Sequence, residues 1–175
     1  MRKPTLIVCA TAIIASLLVA ARVVGAVSDA APAAPSGSKD TMTPEQRADS
    51  TPQGKLKNPY KDTDAAVVQA GNQLFMSYAC SGCHGGTGGG GMCPPLTNDI
   101  WVYGGDDDTL FRLVTYGSQV LQSKGYSRIG QENVVAPMPP MGTIVKTDDD
   151  LWKIITFIRA NYHGSPQCKF GCSGG

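Results

Sequence analysis

Two thiols and an imidazole fall within five residues in Cys80-Ser-Gly-Cys83-His84. That spacing suits three kinds of chemistry. A dithiol redox pair uses CxxC but wants a βαβ setting, and none is visible around this stretch. A structural zinc site wants four ligands, typically as two spaced pairs, and Cys168 with Cys172 could supply the second pair. Covalent haem attachment uses CxxCH: two thiols add to the two vinyl groups, and the next residue's imidazole reaches the iron. One turn of chain then makes all three bonds. On this reading Cys80 and Cys83 carry a single haem c and His84 ligates its iron.

A haem held this way needs a ligand on the opposite face of the iron. The stretch APMPPMG offers Met138 and Met141. A lone methionine is more often core filler than ligand. Two among prolines, outside any helical pattern, are poor filler, and prolines present a side chain from a fixed backbone. A thioether also favours ferrous iron. Cys93 and His163 are the other candidates. His163 falls at the end of the last helical pattern, where an exposed histidine is comfortable.

The elements that must position these groups read as helices. Residues 63–79 place Val67, Gly71, Leu74, Phe75 and Tyr78 on one face, with Thr63 or Asp64 able to cap the start. The glycine-rich run 85–96 is a loop that takes unusual dihedrals or passes close to something bulky, here the haem edge. It lacks the GKS or GKT ending of a phosphate loop. Asp106-Asp107-Asp108 precedes TLFRLVTYG, a short helix that Gly117 should stop, and residues 118–137 read as irregular. A last helix opens at Thr147-Asp148-Asp149-Asp150 and carries Leu151, Ile154, Ile155, Ile158 and Tyr162 on one stripe, ahead of Gly164 and Pro166. Acids at its start suit the helix dipole. No strand pattern or repeat is seen. The expected fold is all-α, with helices around one covalently bound haem. A domain with so few aromatics has a thin core, and a large apolar cofactor would fill it.

Residues 1–26 have a positive start (Arg2, Lys3), an apolar run to about Ala21 and small residues at Val24-Gly25-Ala26, the pattern of a secretory signal peptide. Arg22 interrupts the run, which is short for a membrane span. Cleavage near Ala26 would leave twelve Lys and Arg against fourteen Asp and Glu. That balance argues against nucleic-acid binding. The expected location is the periplasm, with no membrane attachment after cleavage. Residues 27–58, rich in Ala, Pro and Ser, read as a flexible or loosely packed arm in which TPEQ could start one helical turn. The haem-binding domain would span 59–165 and a cysteine-containing tail 166–175. Cys93 could pair with Cys168 or Cys172, or those two with each other.

These residues resemble the class I cytochrome c family over roughly 60–163. Gly71 and Phe75 look like its glycine–aromatic pair on the first helix, which packs on the last, although Gly71 sits nine residues before Cys80, one more than the family's spacing. CPPL resembles the family's Pro-x-Leu, which implies that Pro94 accepts a hydrogen bond from the haem histidine and that Leu96 packs on the haem. MPPMG before KTDDDLWKIITFIR resembles its M-P-x-[aromatic]-G and closing helix. On that match Met138 is the axial ligand, and Met141, in the aromatic position, is the runner-up.

CSGCHGG, the glycine run, MCPPLTNDIWVYGGDDDTLFRLVTYGS and ENVVAPMPPMG are further similar to the cytochrome c(L) group, above all to the branch serving lanthanide-dependent, Xox-type enzymes. The resemblance implies an electron carrier rather than an enzyme. It would take single electrons from a PQQ-dependent methanol dehydrogenase and pass them to a downstream cytochrome c or oxidase. The alternatives are a general donor to a terminal oxidase, an acceptor for another quinoprotein alcohol dehydrogenase, a small haem peroxidase, or a zinc-stabilised binding module. Asp106–Asp108 and Asp148–Asp150 could steer a partner or could simply cap helices.

Overall fold

The computed structural model describes residues 42–97, 101–130, 135–164 and 169–170. The expected leader, the first part of the arm, Cys168 and Cys172 lie outside these residues. Among the described residues there are five helices and no strand: α1 (Pro44–Ser50), α2 (Ala65–Ser77), α3 (Ser81–His84), α4 (Asp107–Ser123) and α5 (Asp148–Ala160).

The helix termini follow from side-chain chemistry. The Asp64 carboxylate accepts from the N–H groups of Ala66 and Val67 at the start of α2. The Thr147 hydroxyl accepts from Asp150 at the start of α5, which has three acids in its first turn and Arg159 in its last. Each cap satisfies backbone donors that the helix itself leaves open. The largest helix–helix contact is α2 against α5, and Gly71 sets how closely they approach. A Cβ at Gly71 would lie 2.1 Å from the Lys153 carbonyl oxygen and 2.9 Å from Phe157 Cβ. One turn on, the rings of Phe75 and Phe157 meet at 5.3 Å between centroids. The expected glycine–aromatic pair is thus the crossing point. From α4, Phe111 closes the core against Trp152 at 4.3 Å. Phe75, Phe111, Leu121, Leu151 and Ile155 are fully buried, each stabilising by roughly 1.5–3 kcal/mol relative to exposure.

Residues 42–58 are not a loose arm. The Thr43 hydroxyl accepts from the Gln46 N–H while the Gln46 side chain accepts from the Thr43 N–H, a reciprocal cap that starts α1 with Pro44 in its first turn. Ala48 and Leu56 are buried. Arg112 of α4 donates to the carbonyls of Ala48 (2.8 Å) and Thr51 (2.6 Å) and to Asp108 (2.9 Å). Asp108 also accepts from Leu56 N–H and Tyr126 O–H. Few apolar residues suffice here because a buried guanidinium binds the segment's backbone.

Two further expectations are revised. The chain stays helical past Gly117, through Ser123, and only Gly117 itself leaves helical dihedrals (φ 73°, ψ 167°). The acidic runs are internal parts rather than free charge. Asp106 caps α4 through the Thr109 N–H, and Asp107 pairs with Arg159 and accepts from the Asn58 N–H. Asp148 holds Arg47, Asp149 holds Lys153 and the Tyr60 hydroxyl, and Asp150 accepts from the Tyr78 hydroxyl. These contacts support the capping alternative.

Candidate functional site

The CSGCH turn hangs from the end of α2. Ala79 has φ 59°, the left-handed region, the one non-glycine there among the described residues. Cys80 N–H reaches back to Phe75 O (3.0 Å) and Ala79 N–H to Met76 O (3.1 Å). This pair of bonds is a Schellman termination. It reverses the chain so that Cys80 starts α3, whose single turn carries Cys83 and His84.

The glycine run folds back on that turn. Gly90 N–H donates to His84 O (2.8 Å) and Cys93 N–H to Cys83 O (3.1 Å). Gly85 (φ 76°) has no room for a side chain: a Cβ would lie 2.5 Å from Gly90 O. The expected close approach exists, and at this glycine it is to the chain's own backbone. The return brings Pro94 O to 3.0 Å from His84 Nδ1. A carbonyl only accepts, so Nδ1 carries the proton and Nε2 keeps its lone pair for a metal.

Cys80, Cys83 and Cys93 are free thiols. Burial pushes Cys80 up to about 11, and Cys83 beside it adds to the rise. Burial also raises Cys93, as does its contact with the Cys83 thiol. Cys93 is thus on the CSGCH side of the site, which removes it as a ligand facing His84. His163 is exposed, and its backbone N–H donates to Thr97 O.

Met138 and Met141 are partly buried and pack at the edge of the same core as Cys80 and Leu96. Their loop is seated in the break of α4. Met138 N–H donates to the Ser118 hydroxyl and Ser118 N–H to Met138 O, both at 3.0 Å. Met141 N–H takes Val114 O (2.9 Å) and Gly142 N–H takes Thr115 O (3.0 Å). These are carbonyls that the interruption of α4 leaves open. A Cβ on Gly117 would lie 2.6 Å from Met138 O and 2.7 Å from Pro140 N. Sequence reasoning took Gly117 for a helix stop and passed over Ser118. A glycine–serine pair inside a continuing apolar pattern was the available signal.

The donor set fits a haem: two unpaired thiols a turn apart, an imidazole with its tautomer fixed, and thioethers at the core edge. A family model described as cytochrome c oxidase, cbb3-type, subunit III matches residues 66–158, a little over half the chain. The protein belongs to this cytochrome c family. As a member it carries covalently bound haem c, and its single CxxCH makes it a monohaem electron-transfer protein rather than an enzyme.

The cbb3-type cytochrome c oxidase subunit CcoP of Cereibacter sphaeroides is 42% identical over 59 residues, 32% of this cytochrome and 20% of that protein. The CcoP subunit of Azospirillum brasilense is 34% identical over 64 residues, 33% of this cytochrome and 21% of its own length. The cytochrome therefore spans about a fifth of these curated relatives. Among solved structures, cytochrome CL of the marine methylotrophic bacterium Methylophaga aminisulfidivorans is similar at 29% identity and a TM-score of 0.46, covering 62% of this chain and 61% of that one.

Proposed function

We propose that this cytochrome is a periplasmic carrier that accepts single electrons from a PQQ-dependent, Xox-type methanol dehydrogenase and passes them to a downstream cytochrome or oxidase. The long sequence motifs shared with the cytochrome c(L) group support the donor. The observation that carries the carrier role is the pairing of a fixed imidazole with a seated thioether. When bound, the haem supplies a one-electron Fe(III)/Fe(II) couple. Cys80 and Cys83 would anchor it as thioethers, His84 would offer Nε2, Pro94 would hold that imidazole, Leu96 would pack on the ring, and Met138 would offer its sulfur. With both of these residues as ligands the iron would have no position open to a substrate or O₂. Among the described residues no helix is long and apolar enough to cross a membrane. The leader read over residues 1–26 would deliver the chain to the compartment where haem c is attached.

The curated relatives favour a second reading, a carrier working with a terminal oxidase and no dehydrogenase of its own. A visible spectrum separates the two. The oxidised protein is mixed with Xox-type methanol dehydrogenase, its lanthanide and methanol. A sharp reduced α-band on methanol addition is expected. A band that appears only with dithionite overturns the dehydrogenase as donor and leaves the oxidase reading. No haem bands in either state would overturn both.

A further inference from the structure

α4 is interrupted at Gly117, near the end of a largely buried stretch that runs from Asp108 to Ser118. A glycine inside a helix destabilises it, and the interruption leaves carbonyls without helical partners. The loop 138–142 occupies that gap. Two of its N–H groups, of Met141 and Gly142, take the freed carbonyls of Val114 and Thr115. Ser118, the first residue beyond the break and 8% exposed, bonds one residue through two of its groups. Its N–H gives to Met138 O, and its hydroxyl accepts from Met138 N–H. A buried serine that satisfies both main-chain groups of one methionine fixes where that side chain begins.

We propose that Ser118 is the positioning residue for an axial Met138, and that the break at Gly117 exists to bring it there. The proposal rests on the reading of Met138 as the iron ligand. With the hydroxyl gone, Met138 N–H loses its partner, the loop starts from a less defined position, and the sulfur is displaced more readily. The Met141 end of the loop keeps its own bonds to Val114 and Thr115 and is not directly affected.

The test uses the ferric holoprotein, with the red charge-transfer band of methionine-ligated iron and the affinity for imidazole as readouts. Ser118→Ala should bind imidazole about fivefold more tightly, the scale of one net hydrogen bond, and Ser118→Thr should behave as wild type. Unchanged affinity in Ser118→Ala overturns the proposal. Equal tightening in both variants also overturns it, since the effect would then come from packing rather than the hydroxyl. Denaturant titration read at the band and by far-ultraviolet circular dichroism separates local release from unfolding. The band of Ser118→Ala should be lost earlier with helicity unmoved, and parallel shifts overturn the proposal. Met138→Ala and Met141→Ala test the underlying assignment separately. Loss of the band in Met138→Ala alone upholds it, and loss in Met141→Ala alone overturns it whatever Ser118 does.

Discussion

His84 illustrates how little separates a side chain that is present from one that is ready. Its Nδ1 proton is committed to Pro94 O, so the nitrogen left over is the one a metal takes. The attachment group was readable from the sequence because its bonds demand contiguous residues. Pro94 was readable only through resemblance, since its carbonyl arrives by way of a glycine loop. Ser118 was readable only as half of a glycine–serine pair, because the residue it bonds is set by where the chain returns twenty residues later. Gly71 lies between these cases, a glycine on an apolar stripe whose reason is the Lys153 carbonyl at 2.1 Å from any Cβ. The offending atom is backbone and cannot swing away, so α2 and α5 must part. Gly71→Ala should lower stability by about 3 kcal/mol or more, measured by denaturant unfolding of the holoprotein. A change within about 0.5 kcal/mol would show that the crossing relaxes freely.

At the scale of elements, α2 and α5 were legible because each carries an apolar stripe and a capping side chain at its start. α1 was not legible. It is seven residues long with few large apolar groups, and its docking depends on Arg112, more than sixty residues away in sequence. Composition argued for a loose arm, and a buried cation binding backbone carbonyls outweighed composition. The end of α2 gives a prediction of opposite sign to Gly71→Ala. Ala79 holds the left-handed position of a Schellman termination, where glycine avoids the Cβ penalty. Ala79→Gly should raise stability by about 1 kcal/mol, the left-handed penalty less part of glycine's entropy cost. Thermal unfolding of the holoprotein reads this directly, and a drop in stability would mean that the Ala79 methyl group has a packing role.

At the scale of the whole molecule, several charges among the described residues act inward. Burial alone would raise the Asp108 pKa, but bonds from Tyr126, Arg112 and backbone N–H groups outweigh it and hold the carboxyl below its ordinary value. A depressed carboxylate gives stability that is present above about pH 4 and is lost as pH falls through the lower folded value. Tyr116 is shifted the other way. Burial and its bond to Asp49 push it up to about 12, so its contribution is full below about pH 10 and is lost as pH rises toward 12. Asp108→Asn should flatten the acid limb of a stability–pH curve and Tyr116→Phe the alkaline limb. Unchanged limbs would mean that other groups dominate both. The same inward use of charge bears on partner recognition. Asp106–Asp108 and Asp148–Asp150 are engaged in caps, ion pairs and hydrogen bonds, and exposed apolar groups stand on the loops of the candidate site. Met92 in the glycine loop is 64% exposed, Val135 ahead of Met138 is 77% exposed, and Ile144 after Met141 is 52% exposed. Redox encounters are small and transient, so a few such contacts carry weight. If the proposed dehydrogenase is the donor, Met92→Ser with Val135→Ser should slow its reduction of the cytochrome about tenfold, the scale of one buried side chain lost, and leave the salt dependence unchanged, because apolar contact is not screened. Stopped-flow reduction across a range of ionic strength measures both. A rate that ignores these substitutions but falls steeply with salt would return recognition to charge, carried by residues other than the two acidic runs.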